Sequence, residues 1–456
     1  MTEQLGLWPS SEASTPAAAG QPFRPVQYLG SKARLVDEIR RAVDEADPAR
    51  GPLLDVFSGS GVVAATLGRD RDVTAVDVQE YARVLGSALV APARFGDGEV
   101  ARLVAQACST VDRLAATGLD AVLAHERAAT EALWRGDPEP LCEVVEEGSI
   151  VVFSCGEGPR AGALASALER AATAPSDASL TMTRCYGGAY FGYHQALVLD
   201  ALLAAVRALA PGAERDTGLA AVLGAASECV TSVGSHFAQP VRPRDRDGRP
   251  KVPALRAVAR RRERDVVAVF ADRLRRLAAV PGAAHAARVV RADYQAFLRA
   301  HDGPVGAVYA DPPYTRDHYS RFYHVLETMA RGDAPELSTV TIGGVTSLSR
   351  GLYRRDRHQS PFCIRSEVPG AFRALFAAVR RLGAPLVVSY SPYTSGTAAR
   401  PQPRLLTVTQ VADLAAESFG SVEVRSAGRY AHSKFNATRL NGHRHQAAEL
   451  FLICRP

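Results

Sequence analysis

The stretch LLDVFSGSGVVAATLG, residues 53–68, decides the fold of this chain. It reads as a short apolar strand, a Gly-Ser-Gly turn and an apolar helical stretch, in that order. Glycines at 59 and 61 let the backbone take dihedral angles that other residues avoid, and they let a ligand approach the main chain closely. The turn lacks the third glycine of a dinucleotide fingerprint and the Lys-Ser/Thr pair of a P-loop, so neither NAD nor ATP is favoured. A cofactor without a pyrophosphate fits this turn better.

Outward from this unit, six more segments have the character of buried strands. They are VTAVD at 73–77, ARVVRAD at 287–293, VGAVYAD at 305–311, PLVVSYS at 385–391, SVEVRSA at 421–427 and ELFLICR at 449–455. Near-continuous apolar strands separated by helices indicate a parallel sheet that is covered on both faces, so we expect an α/β, Rossmann-like fold with seven strands. Such sheets bind ligands at the carboxyl ends of their strands, where Asp55, Asp77, Asp293 and Asp311 are found.

About 200 residues separate the second and third of these strands, far more than a crossover helix needs. We therefore predict that residues 91–284 are an insertion, large enough to be a domain of its own and to hold a macromolecular substrate. The main domain is then split into residues 23–90 and 285–456. Residues 1–22, rich in Ser, Ala, Pro and Gly without an apolar period, are predicted to be a flexible tail.

The composition is that of a packed, soluble protein: 456 residues, 47% hydrophobic and 22% charged. No apolar run is long enough for a membrane span, and the N-terminus has no signal-peptide pattern, so we expect a cytoplasmic protein without a membrane partner. The seven cysteines are scattered without a Cys-x-x-Cys pair, which argues against a zinc knuckle or a disulfide framework.

The net charge of +6 is concentrated in one segment. Residues 242–276 contain 13 Arg or Lys against 5 Asp or Glu, an excess of +8, so the rest of the chain sums to about −2. Such a stretch favours a phosphate-binding surface, and a solvated, arginine-rich helix face is the alternative. The candidate contacts are Arg242, Arg244, Arg246, Lys251, Arg260 and Arg261.

The segment VYADPPYTRDHYS, residues 308–320, runs from a predicted strand directly into two prolines. Pro312 and Pro313 have a fixed φ and no N–H group, and each restricts the residue before it, so the turn is stiff and its acceptors are exposed. The carboxylate of Asp311 and the carbonyl of Pro312 can accept both hydrogens of an amino group, while Tyr314 stacks on the attached ring. Accepting those hydrogens favours a pyramidal nitrogen whose lone pair can attack. An ordinary Asp-Pro-Pro turn without chemistry is the alternative.

Two further elements are candidate parts of a site. The Tyr-Leu-Gly-Ser-Lys turn at 28–32 leads into an amphipathic helix that Ser31 can cap. Lys32 is one of three lysines in an arginine-rich chain, which hints that an ammonium group is specifically required; a capped helix with an incidental lysine is the alternative. Asp77 is placed to accept hydrogen bonds from ribose hydroxyls, or alternatively to cap a helix.

The order of these motifs resembles the alpha arrangement of the Dam-type family of DNA adenine-N6 methyltransferases. Tyr-x-Gly-Ser-Lys comes first, then Phe-Ser-Gly-Ser-Gly, a strand ending in Asp, a long insertion, and Asp-Pro-Pro-Tyr; the resemblance covers about 23–90 and 285–456. It implies a seven-stranded S-adenosylmethionine-dependent methyltransferase fold with a large inserted target-recognition domain. The implied cofactor pocket comprises Tyr28, Gly30, Ser31, Lys32, Asp55, Phe57, Gly59, Gly61, Asp77, Val78, Asp293, Tyr294 and Asp311.

The reaction that this resemblance implies is site-specific transfer of a methyl group from S-adenosylmethionine to N6 of adenine in duplex DNA, in restriction-modification or genome defence. Direct displacement at the sulfonium methyl needs neither a metal nor a covalent intermediate, so alignment and electrostatics carry the catalysis. A paired amine must be flipped out of the duplex before it can react. Asp311, Pro312, Pro313 and Tyr314 are the implied catalytic residues.

Other residues are candidate DNA contacts. His318 and Arg321 follow the Asp-Pro-Pro-Tyr turn and can contact the flipped nucleotide or its phosphates, unless they only begin a helix. The basic segments RYAHSK at 429–434 and NGHRH at 441–445 can line a DNA channel. The two histidines of the latter lack a third metal ligand with convincing spacing, so no metal site is predicted.

Three rival functions stay open at this point: methylation of N4 of cytosine, methylation of adenine in structured RNA, and DNA binding without catalysis. Asp-Pro-Pro-Tyr resembles the adenine group more than the Ser-Pro-Pro-Tyr typical of N4-cytosine enzymes, and a long insertion suits the reading of DNA. We expect a monomer that binds double-stranded DNA, with a cognate restriction or defence protein as a candidate partner.

Overall fold

The computed structural model describes residues 23–27, 31–315, 318–391, 405–426 and 449–456. Several sequence predictions lie outside these residues. They are the tail at 1–22, Tyr28, Gly30, and the basic segments at 429–434 and 441–445.

All seven predicted strands belong to one sheet. Their bounds are β1 Leu53–Val56, β2 Val73–Asp77, β3 Ala287–Arg291, β4 Ala307–Ala310, β7 Leu386–Tyr390, β8 Ser421–Ser426 and β9 Leu450–Arg455. Their spatial order is β3-β2-β1-β4-β7-β9-β8. A separate hairpin of β5 (Thr339–Ile342) and β6 (Val345–Leu348) was not predicted. The Rossmann-like, seven-stranded prediction is thus confirmed for a mixed α/β chain with a mostly parallel sheet.

The strands of the sheet are parallel except for β9, the last strand along the chain. β1 pairs in parallel with both β2 and β4, so that Leu53 lies opposite Val73 and Ala307. β9 runs antiparallel to β7 on one side and to β8 on the other. The expectation of a wholly parallel sheet is therefore wrong for β9. Its central residues are buried as fully as those of the inner parallel strands, so the apolar pattern could not reveal its direction.

The strand order creates a topological switch point between β1 and β4. From β1 the chain continues outward through β2 and β3, whereas β4 is followed by β7 on the opposite side. The carboxyl ends of β1 and β4 therefore open into a crevice, which is where open α/β sheets bind their ligands. Asp55 lies near the end of β1, and Asp311 comes directly after β4.

Helices account for most of the remaining described residues. Their bounds are α1 Val36–Ala46, α2 Val62–Leu67, α3 Glu80–Val90, α4 Asp97–Leu114, α5 Asp120–Trp134, α6 Glu139–Glu147, α7 Ile150–Ser154, α8 Ala163–Ala172, α9 Tyr193–Arg207, α10 Ala213–Cys229, α11 Val252–Arg262, α12 Val266–Ala278, α13 Tyr294–Ala300, α14 Tyr319–Arg331, α15 Val368–Arg381 and α16 Val408–Ala416. No helix among the described residues is long and apolar enough to cross a lipid bilayer.

Alternate strand residues pack against helices on the two faces of the sheet. Leu53 belongs to a core that includes α1 and α2, and its neighbour Leu54 belongs to a core that includes α13, α15 and α16. α1 buries Ile39 and Val43 completely, as its amphipathic pattern predicts. Ser31 caps the short 3₁₀ turn Lys32–Arg34 that precedes α1, and not α1 itself.

The chain between β2 and β3 is almost entirely helical. Its helices α4, α9, α10 and α12 share one hydrophobic core with α3 and α14, through residues such as Leu202, Leu223 and Phe270. A second core lies among α5, α6, α8 and α11. The helical region thus packs directly against α14, the helix that follows the Asp-Pro-Pro-Tyr turn. This packing fixes the helical region next to that turn.

Candidate active site

The Asp-Pro-Pro-Tyr turn follows β4 directly, near the centre of the sheet. Pro312 and Pro313 have no N–H group to continue the strand ladder, so the strand stops and the turn is stiff. The side chain of Asp311 keeps 22% exposure. The ring of Tyr314 is buried, with its centre 5.2 Å from that of Tyr390. A carboxylate and an aromatic ring therefore extend from one rigid corner.

Lys32 joins this turn to a residue near the end of the chain. Its Nζ lies 3.0 Å from Oδ1 of Asp311, 2.9 Å from Oε1 of Glu449 and 5.9 Å from the centre of the Tyr314 ring. Lys32 and Glu449 are 6% and 0% exposed. Burial lowers the pKa of Lys32, but the carboxylates of Asp311 and Glu449 outweigh it, and the net shift is well upward. The ammonium group stays charged and orients Asp311.

Glu449 is a residue of this site that the sequence analysis missed. It immediately precedes β9, whose first residue lies opposite Tyr390 at the end of β7. Because β9 is antiparallel, it begins at the edge where the parallel strands have their carboxyl ends. The only signal in the sequence is a carboxylate at the start of an apolar strand, and nothing local connects it to Lys32, 417 residues away.

The Phe-Ser-Gly-Ser-Gly turn after β1 takes left-handed backbone conformations. The angle φ is 70° at Phe57, 53° at Gly59 and 75° at Gly61. A Cβ on Gly61 would lie 2.4 Å from the Cα of Gly86 in α3, so this position requires glycine for packing as well as for conformation. Gly61 supports the turn without lining the cavity described below.

Asp77, at the end of β2, fastens the same turn. Its Oδ2 accepts the N–H of Gly59 and its Oδ1 accepts the N–H of Gln79, both at 2.9 Å. Gln79 is the N-cap residue of α3, so the carboxylate also contacts the helix start. Burial raises the pKa of Asp77 to about 6, although the two N–H donors oppose the shift. Each oxygen retains a lone pair that can receive a hydroxyl group of a ligand.

One cavity connects the turns that follow β1, β2, β3 and β4. It encloses about 1240 Å³ of space, its open mouth included. The predicted site residues that line it are Ser31, Lys32, Asp55, Phe57, Gly59, Asp77, Val78, Asp293, Tyr294, Asp311, Pro312, Pro313, Tyr314 and His318. Lining residues that were not predicted include Tyr309, Ser320, His358 and Cys363. The glycine turn and the Asp-Pro-Pro-Tyr turn therefore border the same space.

Among the described residues, the buried polar atoms at this cavity that have no hydrogen-bond partner include Oδ2 of Asp55, Oγ of Ser58 and Oγ of Ser320. Buried polar atoms of folded proteins are rarely left unpaired. Burial, followed by the charges of Asp311 and Asp77, raises the pKa of Asp55 to about 8. The cavity therefore favours a ligand that brings hydrogen-bond donors and positive charge.

An aromatic wall borders the acidic part of the cavity. The ring centre of Phe57 lies 4.7 Å from that of Tyr294 and 5.4 Å from that of Phe362. Next to them, the carboxylate of Asp293 accepts two N–H groups of the first turn of α13 at 3.0 Å each. Aromatic faces stack on flat rings, so this wall suits a heteroaromatic base.

The predicted DNA contacts fall into two groups. Arg244 forms ion pairs with Glu139 and Glu146, and Arg261 donates to the carbonyl of Glu228 at 3.0 Å, so protein acceptors engage both. The other described members are exposed or half-buried at the surface: Arg242, Arg246, Lys251, Arg260, His318 and Arg321. Within this second group Nζ of Lys251 donates to the carbonyl of Arg242 at 3.2 Å, and the side chains lie where a large substrate can reach them.

The sheet order, the glycine turn after β1 and the Asp-Pro-Pro-Tyr turn after β4 together define a methyltransferase of the class that modifies exocyclic amines. Residues 28–114 and 258–349 match the model of the family described as D12 class N6 adenine-specific DNA methyltransferase. The chain belongs to this Dam-type family and is an adenine-specific DNA methyltransferase. The matched segments flank residues 115–257, within the helical region. No curated protein matches the chain.

Proposed function

We propose that the chain transfers the methyl group of S-adenosylmethionine to N6 of an adenine that has been flipped out of duplex DNA at a specific site. The observation that carries this proposal is the single cavity bordered by the glycine turn after β1 and by the Asp-Pro-Pro-Tyr turn. A donor at the first turn and an amine at the second would share one enclosed space, which favours the alignment that a direct displacement needs.

The cavity residues fit this cofactor. S-adenosylmethionine supplies an electrophilic methyl group when it is bound. The unpaired Oδ2 of Asp55 and Oγ of Ser58 match its ammonium group, since both accept hydrogen bonds. Asp77 is assigned to its ribose hydroxyls, and the wall of Phe57 and Tyr294 is assigned to its adenine ring. The other proposed contacts are Ser31, Lys32, Gly59, Val78 and Asp293.

At the other side of the cavity, the protein holds the target amine. The carboxylate of Asp311 and the carbonyl of Pro312 accept its two hydrogens, and the ring of Tyr314 stacks on the base. The ammonium group of Lys32, 3.0 Å from Oδ1 of Asp311, fixes the direction of this carboxylate. Because N6 is paired inside a duplex, the adenine must leave the stack to reach this corner, and contacts with Tyr314 offset part of the lost stacking.

The exposed basic residues Arg242, Arg246, Lys251 and Arg260, with His318 and Arg321 beside the catalytic turn, are proposed to contact DNA. We propose that residues 91–284 recognise the target sequence and that residues 23–90 and 285–456 form the catalytic domain. We further propose that the enzyme is cytoplasmic and monomeric and that it acts in restriction-modification or genome defence. A cognate restriction or defence protein is its proposed partner.

The proposal is tested by the product. Duplex DNA incubated with the protein and methyl-labelled S-adenosylmethionine should contain N6-methyladenine on nucleoside analysis. Long-read sequencing of DNA from cells that express the protein should find the modified adenine in one sequence context. N4-methylcytosine as the only product, or label in structured RNA but not in DNA, would contradict the proposal.

Cofactor affinity should depend on pH through Asp55. The pKa of this carboxyl group is raised from 3.8 to about 8, so the group is protonated in the free protein at pH 6 and 7. The stability that the protonated form contributes is lost as pH rises through about 8. A bound ammonium group favours the ionised form, so binding releases a proton. The affinity for S-adenosylhomocysteine, which carries the ammonium, should therefore rise from pH 6 to pH 8, by up to about tenfold per unit.

Titration calorimetry at pH 6, 7 and 8, in buffers of different ionisation enthalpy, measures both the affinity and the proton released. Asp77, with a pKa of about 6, and Asp311 face the same space and also respond to the ligand. The Asp55→Asn variant separates the effect of Asp55 from theirs, because the affinity of this variant for S-adenosylhomocysteine should no longer rise between pH 7 and pH 8. An unchanged profile in this variant would show that Asp55 does not receive the cation.

A further inference from the structure

Four arginines lie near one another outside the cavity, and two of them lie over the ring of Tyr353. Cζ of Arg357 lies 4.8 Å and Cζ of Arg321 5.8 Å from the centre of this ring. Nη2 of Arg350 donates to the carbonyl of Val241 at 3.2 Å, which places it beside Arg242. Burial first, and the neighbouring Arg242 second, lower the pKa of Arg350, and burial followed by Arg321 lowers that of Arg357. We call Arg242, Arg321, Arg350 and Arg357 the arginine cluster.

The cluster differs from the other arginines around it in lacking acidic partners. Among the described residues, no carboxylate lies within ion-pair distance of any of its four members. Arg331, Arg354 and Arg355 in the same part of the fold all form ion pairs. Glu146, the one carboxylate that raises the pKa of Arg350, is itself bound to Arg244. Positive charge is therefore concentrated here without internal compensation.

The rest of the basic stretch, residues 243–276, shows the opposite behaviour. Five of its arginines are held by acids from other segments of the chain. The pairs are Arg244 with Glu139 and Glu146, Arg262 with Glu126, Arg264 and Arg273 with Glu228, and Arg275 with Asp97. Much of the charge that the sequence analysis attributed to a DNA surface therefore holds helices together.

The cluster lies at the rim of the catalytic cavity. Arg321 directly follows Ser320, and Arg357 directly precedes His358, and both of these neighbours line the cavity. The loop that carries Arg242 is attached to the same place, since the N–H of Phe237 donates to the carbonyl of Phe322 at 3.0 Å. Three separate segments thus bring uncompensated arginines to the mouth through which a nucleotide would enter.

We propose that the arginine cluster binds backbone phosphates of the DNA next to the target adenine. Guanidinium groups bind phosphate through paired N–H donors, and each phosphate relieves the repulsion between neighbouring arginines. Stacking on Tyr353 holds Arg321 and Arg357 by their faces. Nε of Arg357 donates to the carbonyl of Arg354 at 2.9 Å, so its two terminal nitrogens are the donors assigned to the phosphate. This inference rests on the proposed function for the position of the adenine, but it specifies contacts that can be measured without methylation.

The test is the salt dependence of DNA binding, measured by the fluorescence anisotropy of a labelled duplex of arbitrary sequence, because phosphate contacts do not depend on sequence. The variant Arg321→Gln/Arg357→Gln should reduce the slope of log K against log salt by about 1.8, twice the contribution of one phosphate contact. The charge-matched control Arg299→Gln/Arg380→Gln, on exposed positions of α13 and α15 outside residues 91–284, should leave the slope unchanged.

Two further variants keep the test decisive. Arg321→Lys/Arg357→Lys retains both charges and should retain the slope. Arg242→Gln/Arg350→Gln changes exposed side chains outside the Tyr353 stack and should lower the slope as much as the first pair, even if that pair folds poorly. A wild-type slope in either glutamine pair that folds would overturn the cluster proposal. A cluster-dependent slope without any N6-methyladenine product would instead overturn the proposed function and leave the phosphate site standing.

Discussion

Replacing Asp311 by asparagine should reduce the rate of methyl transfer roughly 100- to 1000-fold, the range found when one aligned electrostatic contact at a reacting centre is removed. The amide keeps the volume of the carboxylate but loses its charge and one of its two acceptor oxygens. The target amine then lacks an acceptor that favours its reactive geometry. Single-turnover transfer of a labelled methyl group to duplex DNA measures the effect directly.

The control for this change is Asp302→Asn, an exposed carboxylate in the loop before β4, whose rate should equal that of the unmodified protein. DNA binding should persist in Asp311→Asn, so the loss concerns chemistry and not docking. Because the charge of Asp311 contributes to the raised pKa of Asp55, the rise in cofactor affinity should also move to lower pH. A transfer rate within a factor of a few of the wild type would remove Asp311 from the catalytic centre.

The strands of the sheet could be predicted from the sequence because buried strands have a local apolar pattern. Short apolar runs that end in Asp55, Asp77 and Asp311 mark strands whose carboxyl ends meet at one edge, and the structure brings these three residues to one cavity. The hairpin of β5 and β6 also had a local signal that was overlooked, the Gly343-Gly344 pair between alternating β-branched residues. The direction of β9 had no such signal, because burial on both faces looks alike in parallel and antiparallel strands.

The contacts that escaped prediction join residues far apart in the chain. Glu449 reaches Lys32 only because β9 inserts between β7 and β8, a pairing that no spacing in the sequence encodes. Charge counting failed in the basic stretch for the same reason, since Arg244 and Arg262 meet acids from α5 and α6. Net charge along the sequence records how many cations a segment has, whereas only the fold shows which of them are already neutralised.

Replacing Lys32 by methionine should lower the free energy of unfolding by about 3–5 kcal/mol at neutral pH, because it removes the ammonium group that lies 2.9 Å from the buried carboxylate of Glu449. The sign follows from the raised pKa of Lys32: its stabilisation is complete below 10.5, the ordinary value, and is lost only as pH rises through the higher folded value. The full loss of unfolding free energy is therefore expected at pH 7. Urea denaturation followed by circular dichroism measures it.

The double variant Lys32→Met/Glu449→Gln should recover a large part of the lost stability, since the buried carboxylate is then removed together with the ammonium group that it pairs with. The matched control Lys251→Met changes a half-buried lysine on the surface and should stay within about 0.5 kcal/mol of the wild type. If Lys32→Met cost no more than this control, the ion pairs with Asp311 and Glu449 would not stabilise the fold.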